Sequence, residues 1–230
     1  MRQQRHNKNY PFVKMPEDFN KYTEQGLLRY CLGATMYMPG TKDFLNAILS
    51  QKYPGLTSMV MCFEDACREE DVPAAEQNVL RLLDALVEKE EAGEILYEDI
   101  PLIIFRVRNI EQFQHFAGQL KPAHIKFITG FNFPKFNSAN GEQYFTYLEE
   151  LNERFGEILY GMPILESREM AYLESRIPEL LGVKKILDEH KRLVLNVRVG
   201  GTDWSSVFGV RRGINYTIYD ILPVQDCLKD

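Results

Sequence analysis

Apolar residues along the chain fall into two alternating patterns. Short, nearly unbroken apolar runs occupy residues 31–38 (CLGATMYM), 57–63 (TSMVMCF), 102–108 (LIIFRVR), 124–129 (HIKFIT), 157–165 (EILYGMPIL) and 192–199 (RLVLNVRV). Several are rich in Ile, Val and Tyr, as expected of strands buried on both faces of a parallel sheet. Between these runs, apolar positions recur every three or four residues. The clearest such stretch, residues 73–93, opens on Pro and ends on Gly, the start and stop signals of a helix. Residues 139–156 repeat that logic. TKDFLNAILSQ follows the first run, SREMAYLESRIPELL reads as a helix on the outside of the sheet, and TIYDILPVQDCLKD ends in an amphipathic helix.

Strand–helix alternation with right-handed crossovers leaves two main architectures, an open doubly wound sheet or a (β/α)8 barrel. A G-x-G-x-x-G fingerprint after the first strand would favour the open sheet, but the residues there read MYMPGTKDFL. Six units fit the pattern, against the eight of a complete barrel. There is no internal repeat and no low-complexity segment.

Composition narrows the function classes. The chain has 230 residues, 45% hydrophobic and 26% charged, the profile of a globular protein with a substantial core. A net charge of −6 gives no electrostatic footprint for nucleic acid or an anionic membrane. No apolar run approaches the roughly 20 residues of a membrane helix. The basic start MRQQRHNKNYPF lacks the apolar segment of a signal peptide. Four cysteines without paired metal-ligand spacing predict reduced thiols and a cytoplasmic location.

In both architectures functional groups gather at the carboxyl ends of the strands. Those ends carry Pro39 and Gly40 after the first strand, Glu64 and Asp65 after the second, and Pro134 and Lys135 beyond the fourth. The third strand puts Arg106 and Arg108 on one face by its period of two. Glu166 ends the fifth, and Asp203 follows Gly200 and Gly201 beyond the sixth. Ordinary roles compete for several of these. Asp65, Lys135 and Arg108 suit solvated loops or caps, Glu166 suits a helix N-terminus, and Asp203 is a good N-cap. Arg106, set among Leu, Ile, Phe and Val, is costly to bury without an anion. Convergence favours a site: two carboxylates and an Arg would face one another across the mouth, suiting Mg2+ and a substrate carboxylate. The histidines offer no better site. His115 and His124 flank the start of strand four at the opposite end, His6 lies in the N-terminal stretch, and His190 ends a surface helix.

The motifs YMPG (37–40), CFEDA (62–66), FRVRN (105–109), FPK (133–135), PILES (163–167) and VGGTDWSSVFG (199–209) occur in order. Together they resemble the HpcH/HpaI aldolase and citrate lyase β-subunit family of the phosphoenolpyruvate/pyruvate (β/α)8-barrel superfamily, over about residues 30–215. The resemblance implies a TIM barrel in residues 31–230, short at its C-terminal side, preceded by an extension in residues 1–30. It implies Glu166 and Asp203 as ligands of Mg2+ or Mn2+, and Arg106 as the group that binds the substrate's carboxylate or enolate oxygen. Gly201 and Thr202 match the loop whose amides approach the substrate carboxylate; Glu64 and Asp65 match the acidic second-strand motif and join Arg106 as catalytic groups, and Pro39, Gly40 and Lys135 match further substrate-binding positions. The implied activity is C–C cleavage or formation in a hydroxy- or oxo-acid or a 3-hydroxyacyl-CoA thioester, in an assembly of trimers or larger. Departures mark a divergent branch: Cys62 stands at the usual first Asp, Arg108 near the usual Asn, and ESRE replaces Glu-Thr. A metal- and oxo-acid-binding regulatory protein derived from the same barrel is the alternative reading; an unrelated open-sheet protein is the third.

Overall fold

The computed structural model describes residues 9–230, so His6 and most of the basic start lie outside the described residues. Six parallel strands form one sheet in sequence order. They are β1 (Met36–Pro39), β2 (Ser58–Cys62), β3 (Leu102–Arg106), β4 (Ile128–Phe133), β5 (Tyr160–Leu165) and β6 (Arg198–Val199). Helices α1 (Gln25–Leu28), α2 (Leu45–Leu49), α3 (Val72–Glu91), α4 (Ile110–Gly118), α5 (Pro122–Ile125), α6 (Gly141–Phe155), α7 (Arg168–Ala171), α8 (Leu173–Glu189), α9 (Gly201–Val207) and α10 (Leu222–Lys229) fill the connections.

A doubly wound sheet reverses its strand order and carries helices on both faces; this sheet does neither. Met59, Met61, Ile103, Phe105, Phe131 and Phe133 point outward into one large core with the inner sides of α3, α4, α6 and α8. The opposite parity, Val60, Leu102, Ile104, Tyr160 and Met162, forms a separate, smaller cluster. The inner face closes on itself: Arg198 of β6 donates from Nη1 to the Tyr37 hydroxyl of β1 at 3.1 Å. The fold is therefore a curled half-barrel of six TIM-barrel strands.

The segment ahead of β1 docks on the N-terminal ends of the strands. Leu28, Cys31 and Leu32 join the inner cluster, so residues 31 and 32 belong to a plug and the first strand starts only at Met36. Lys21 is 1% exposed. Its ammonium donates to the Ile125 carbonyl at 2.7 Å and to Glu157 at 3.1 Å, satisfying a charge that would otherwise be costly to bury. Gln25 donates to the carbonyls of Lys191, Arg192 and Val194.

Strand four differs from its sequence expectation. Residues 122–125 form α5, led by Pro122, and the strand begins at Ile128. The run HIKFIT is apolar at both parities, and periodicity alone does not separate a strand from a buried helical turn. His124 instead lies buried with Nε2 2.9 Å from Asp84. Gly130 lets β4 and β5 approach: a Cβ there would lie 2.0 Å from the Tyr160 carbonyl oxygen. β6 is also shorter than expected, because residues 193–195 touch β5 only through the pair of bonds around Gly161. The outer helix expected over 167–181 is two helices with a break at Tyr172. His190, expected on a surface, is buried; its ring stacks on Phe145 and faces Glu142 and Glu149. All four cysteines are free and buried. Among the described residues no helix is long and apolar enough to cross a membrane.

Leu28 is fully buried beneath the inner cluster, so Leu28→Ala should lower the unfolding free energy by about 2–5 kcal/mol in a urea titration. A change within about 0.5 kcal/mol would show that the plug does not belong to the cooperative fold.

Candidate active site

The site is built around Arg106, the last residue of β3. Period-two alternation turns its side chain into the barrel, level with Cys62 on one side and Asn132 on the other. The residue is 8% exposed. Its Nη2 lies 2.6 Å from Glu64 and 3.1 Å from Glu166, and its Nη1 lies 3.0 Å from Asp65. Burial works against the charge, but Glu64, Glu166 and Asp65 outweigh it and hold the guanidinium above its ordinary pKa.

Glu64 and Asp65 follow β2, and the two are not equivalent. Glu64 is buried between two cations, since Lys135 Nζ donates to its other oxygen at 2.7 Å. Asp65 is half exposed. Lys135 follows β4 in the left-handed region, with φ 48°, a conformation that costs a side-chain-bearing residue about 1 kcal/mol or more. That turn aims its backbone N–H at Glu166, 3.0 Å away. The bond to Glu64 raises the Lys135 ammonium.

Glu166 is thus held at one oxygen by Arg106 and by the Lys135 N–H, and it is 5% exposed. Asp203 lies within hydrogen-bonding reach of it. Burial pushes the Glu166 carboxyl up to about 7; the Lys135 N–H and Arg106 oppose the rise, and the neighbouring Asp203 adds to it. Two features bring the acids together. A Cβ on Gly200 would lie 2.1 Å from Glu166 Oε2, so only glycine fits there. The Trp204 indole donates to the Ser167 carbonyl at 3.2 Å, tying α9 to the residue after Glu166. Asp203 does not cap α9: Gly200 holds the cap position, and Asp203 sits within the first turn. Gly201 and Thr202 open that helix, where N–H groups have no partner within the helix.

Not every expected residue joins the cluster. β3 ends at Arg106, so Arg108 leaves the strand's face and donates to the carbonyls of Phe63 and Cys67. Gly40 is buried; its N–H donates to the Cys62 carbonyl and its own carbonyl accepts from Asn78. Pro39 ends β1 beside Cys62. The Cys62 thiol faces inward and burial raises it. Sequence reasoning missed Tyr37, Asn132 and Arg198, polar residues on the inward parity of strands that otherwise read as apolar.

The donor set suits a hard divalent cation. Among the described residues no three His, Cys, Asp or Glu side chains gather as a metal cage. Two adjacent carboxylates with open positions are what Mg2+ or Mn2+ accepts, because such ions retain waters and take substrate oxygens.

A curled parallel half-barrel with acids and an Arg at the carboxyl ends of its strands is the layout of a TIM-barrel enzyme. The model of the family described as C-C bond lyase of the TIM-barrel fold matches residues 26–230, and the chain belongs to that family. Among solved structures it is similar to the citrate lyase beta subunit of M. tuberculosis complexed with oxaloacetate and magnesium. That match has a TM-score of 0.50 and 13% identity, over 87% of this chain and 74% of the other. It is also similar to the Haloferax volcanii malate synthase in a lead(II) complex, with a TM-score of 0.53 and 15% identity, over 86% of this chain and 55% of that one. At these identities the likeness is one of fold. By sequence, none of the curated proteins matches the chain.

In the metal-free protein, the folded state holds a proton on Glu166 between the ordinary carboxyl value of 4.5 and about 7, where the unfolded chain does not. Stability linked to this group is therefore present below the lower value and lost as pH rises towards the upper one. Glu166→Gln removes the loss, so melting with EDTA should show the variant gaining on the parent by about 1–3 kcal/mol between roughly pH 5 and pH 8. A pH-independent difference would contradict the raised carboxyl.

Proposed function

We propose that this protein is a divalent-cation-dependent carbon–carbon lyase acting on a hydroxy- or oxo-acid, free or as its CoA thioester. The observation that carries the reading is the pair Glu166 and Asp203, brought together by Gly200 at the carboxyl ends of β5 and β6. Membership of the C–C bond lyase family supports the reaction class. The oxaloacetate and magnesium in the similar citrate lyase subunit support the substrate class and the metal.

Glu166 and Asp203 would hold Mg2+ or Mn2+, which supplies positive charge beside the substrate's carbonyl oxygen, where negative charge develops as the bond breaks. The chain's own groups do the rest. Arg106 clamps Glu166 against the barrel wall, and its Nε–H is a buried donor with no protein partner, left for a substrate oxygen. Glu64 and Asp65 lock the guanidinium's other nitrogens, so that this donor keeps its direction when the site is empty. Lys135 contributes its N–H to Glu166 and its ammonium to Glu64, adding fixed positive charge to the mouth. Gly201 and Thr202 present first-turn N–H groups beside Asp203, donors for a substrate oxygen on the metal's side of the chamber.

Asp203→Asn and Glu166→Gln should each weaken Mg2+ binding by more than about 10-fold and abolish metal-dependent cleavage across a panel of hydroxy acids and acyl-CoA thioesters. Titration calorimetry and a turnover assay measure the two effects, and parent-like values for both variants would remove the metal assignment. Gly200→Ala, which forces the Glu166 carboxylate aside, should lower Mg2+ affinity without touching either acid.

A further inference from the structure

The inner face of the barrel holds a second polar group, apart from the Arg106 cluster. The Tyr37 hydroxyl of β1 accepts from Asn132 Nδ2 of β4 at 2.7 Å and from Arg198 Nη1 of β6 at 3.1 Å. The Arg198 guanidinium also lies over the Tyr37 ring, 5.8 Å from its centroid. Asn132 is 0% exposed, yet its Oδ1 has no hydrogen-bond partner, and Arg198 Nε is a second buried orphan. Native interiors rarely leave such atoms unpaired unless a ligand or water completes them.

The two inward arginines differ in charge balance. Arg106 faces three carboxylates. Arg198 has no ion-pair partner among the described residues. A partly buried, uncompensated guanidinium is costly unless an anion reaches it, and its planar fork matches a carboxylate. Tyr37 adds a complementary donor. It accepts from both neighbours, so its own proton is free to point into the barrel, and burial raises the phenol so that the proton stays on. Asn132 lies level with Arg106 on the neighbouring strand, which puts this group in the same chamber as the Glu166 cluster.

We propose that Arg198 and the Tyr37 hydroxyl, positioned by Asn132, are the carboxylate-binding subsite of the active site, with Arg198 rather than Arg106 pairing the substrate's carboxylate. The proposal rests on the hydroxy- or oxo-acid reading above. It divides the work of the two arginines: Arg106 organises the acids, and Arg198, on the strand beside the one that leads to Glu166, anchors the substrate. The anchor is built from β1, β4 and β6, so it exists only because the sheet curls.

The test titrates the full chain, loaded with Mg2+, with pyruvate and reads Trp204 fluorescence and calorimetric heat. Trp204 is the only tryptophan and lies next to Asp203. Arg198→Gln should weaken pyruvate binding by about 10- to 100-fold and Tyr37→Phe by about 3- to 10-fold, the scale of hydrogen bonds to a charged group. Arg198→Lys should recover part of the loss. Mg2+ affinity measured alone should stay within about twofold in all three, because none of them touches the carboxylates. Should Arg198→Gln fail to fold, Tyr37→Phe decides, since it keeps the ring that packs against Arg198. Parent-like pyruvate affinity in the folded variants overturns the subsite and leaves the lyase reading standing. A parent that binds Mg2+ but not pyruvate overturns the substrate reading, and the subsite with it.

Discussion

A single buried guanidinium organises the carboxyl end of this half-barrel. Arg106 gathers Glu64, Asp65 and Glu166 from two different loops. Without it, two of those acids would be buried near each other and near Asp203 with only Lys135 to compensate. Like charges in a low-dielectric interior repel strongly, and an unpaired buried ion costs several kcal/mol. The loops after β2 and β5 are therefore held together through β3, which lies between those strands in the sheet. Even this compensation is partial: Glu166 remains hard to ionise while it lacks a further cation.

The second acid reaches the site by backbone rather than by charge. Gly200 removes the only atom that would block Glu166, and the Trp204–Ser167 bond fixes the first turn of α9 against the following loop. Two carboxyl groups are brought together by backbone geometry rather than by any attraction between them. That combination, attraction denied and proximity enforced, is typical of sites that receive a cation from outside. Elsewhere on the inner face, Tyr37 and Arg198 bridge β1 and β6, so the curl and the polar lining are one structure.

Much of this was legible from the residues. The apolar runs overlapped all six strands, closely for β2, β3 and β5 and with starts five and six residues early for β1 and β6, and the order of acids and Arg at their ends singled out Glu64, Asp65, Arg106, Glu166 and Asp203. Strand four was misplaced because His124 looked like part of an apolar run, when in fact a helical turn buries it beside Asp84. Arg108 was put beside Arg106 by extending the period of two beyond the point where the strand ends. Tyr37, Asn132 and Arg198 carried no signal along the sequence. Their meaning depends on β1, β4 and β6 meeting across an interior, a fact of curvature that no local pattern encodes. The plug formed by Leu28 and Lys21 was invisible for the same reason: the partners of Lys21 lie more than 100 positions away.

The pairing of each strand with its immediate neighbour in sequence has a consequence for how the protein is made. Every ladder joins segments separated by one or two helices, so loop-closure entropy stays modest at each step and no strand has to wait for a distant partner. The sheet can grow in the direction of synthesis, one unit on the edge left by the last, while the aromatic outer core accumulates behind it. The contacts that fasten β6 to the early chain, Gln25 on the carbonyls of residues 191, 192 and 194 and Tyr37 on Arg198, must wait until β6 has been made. Assembly of the chamber is thereby postponed to the last stage of folding.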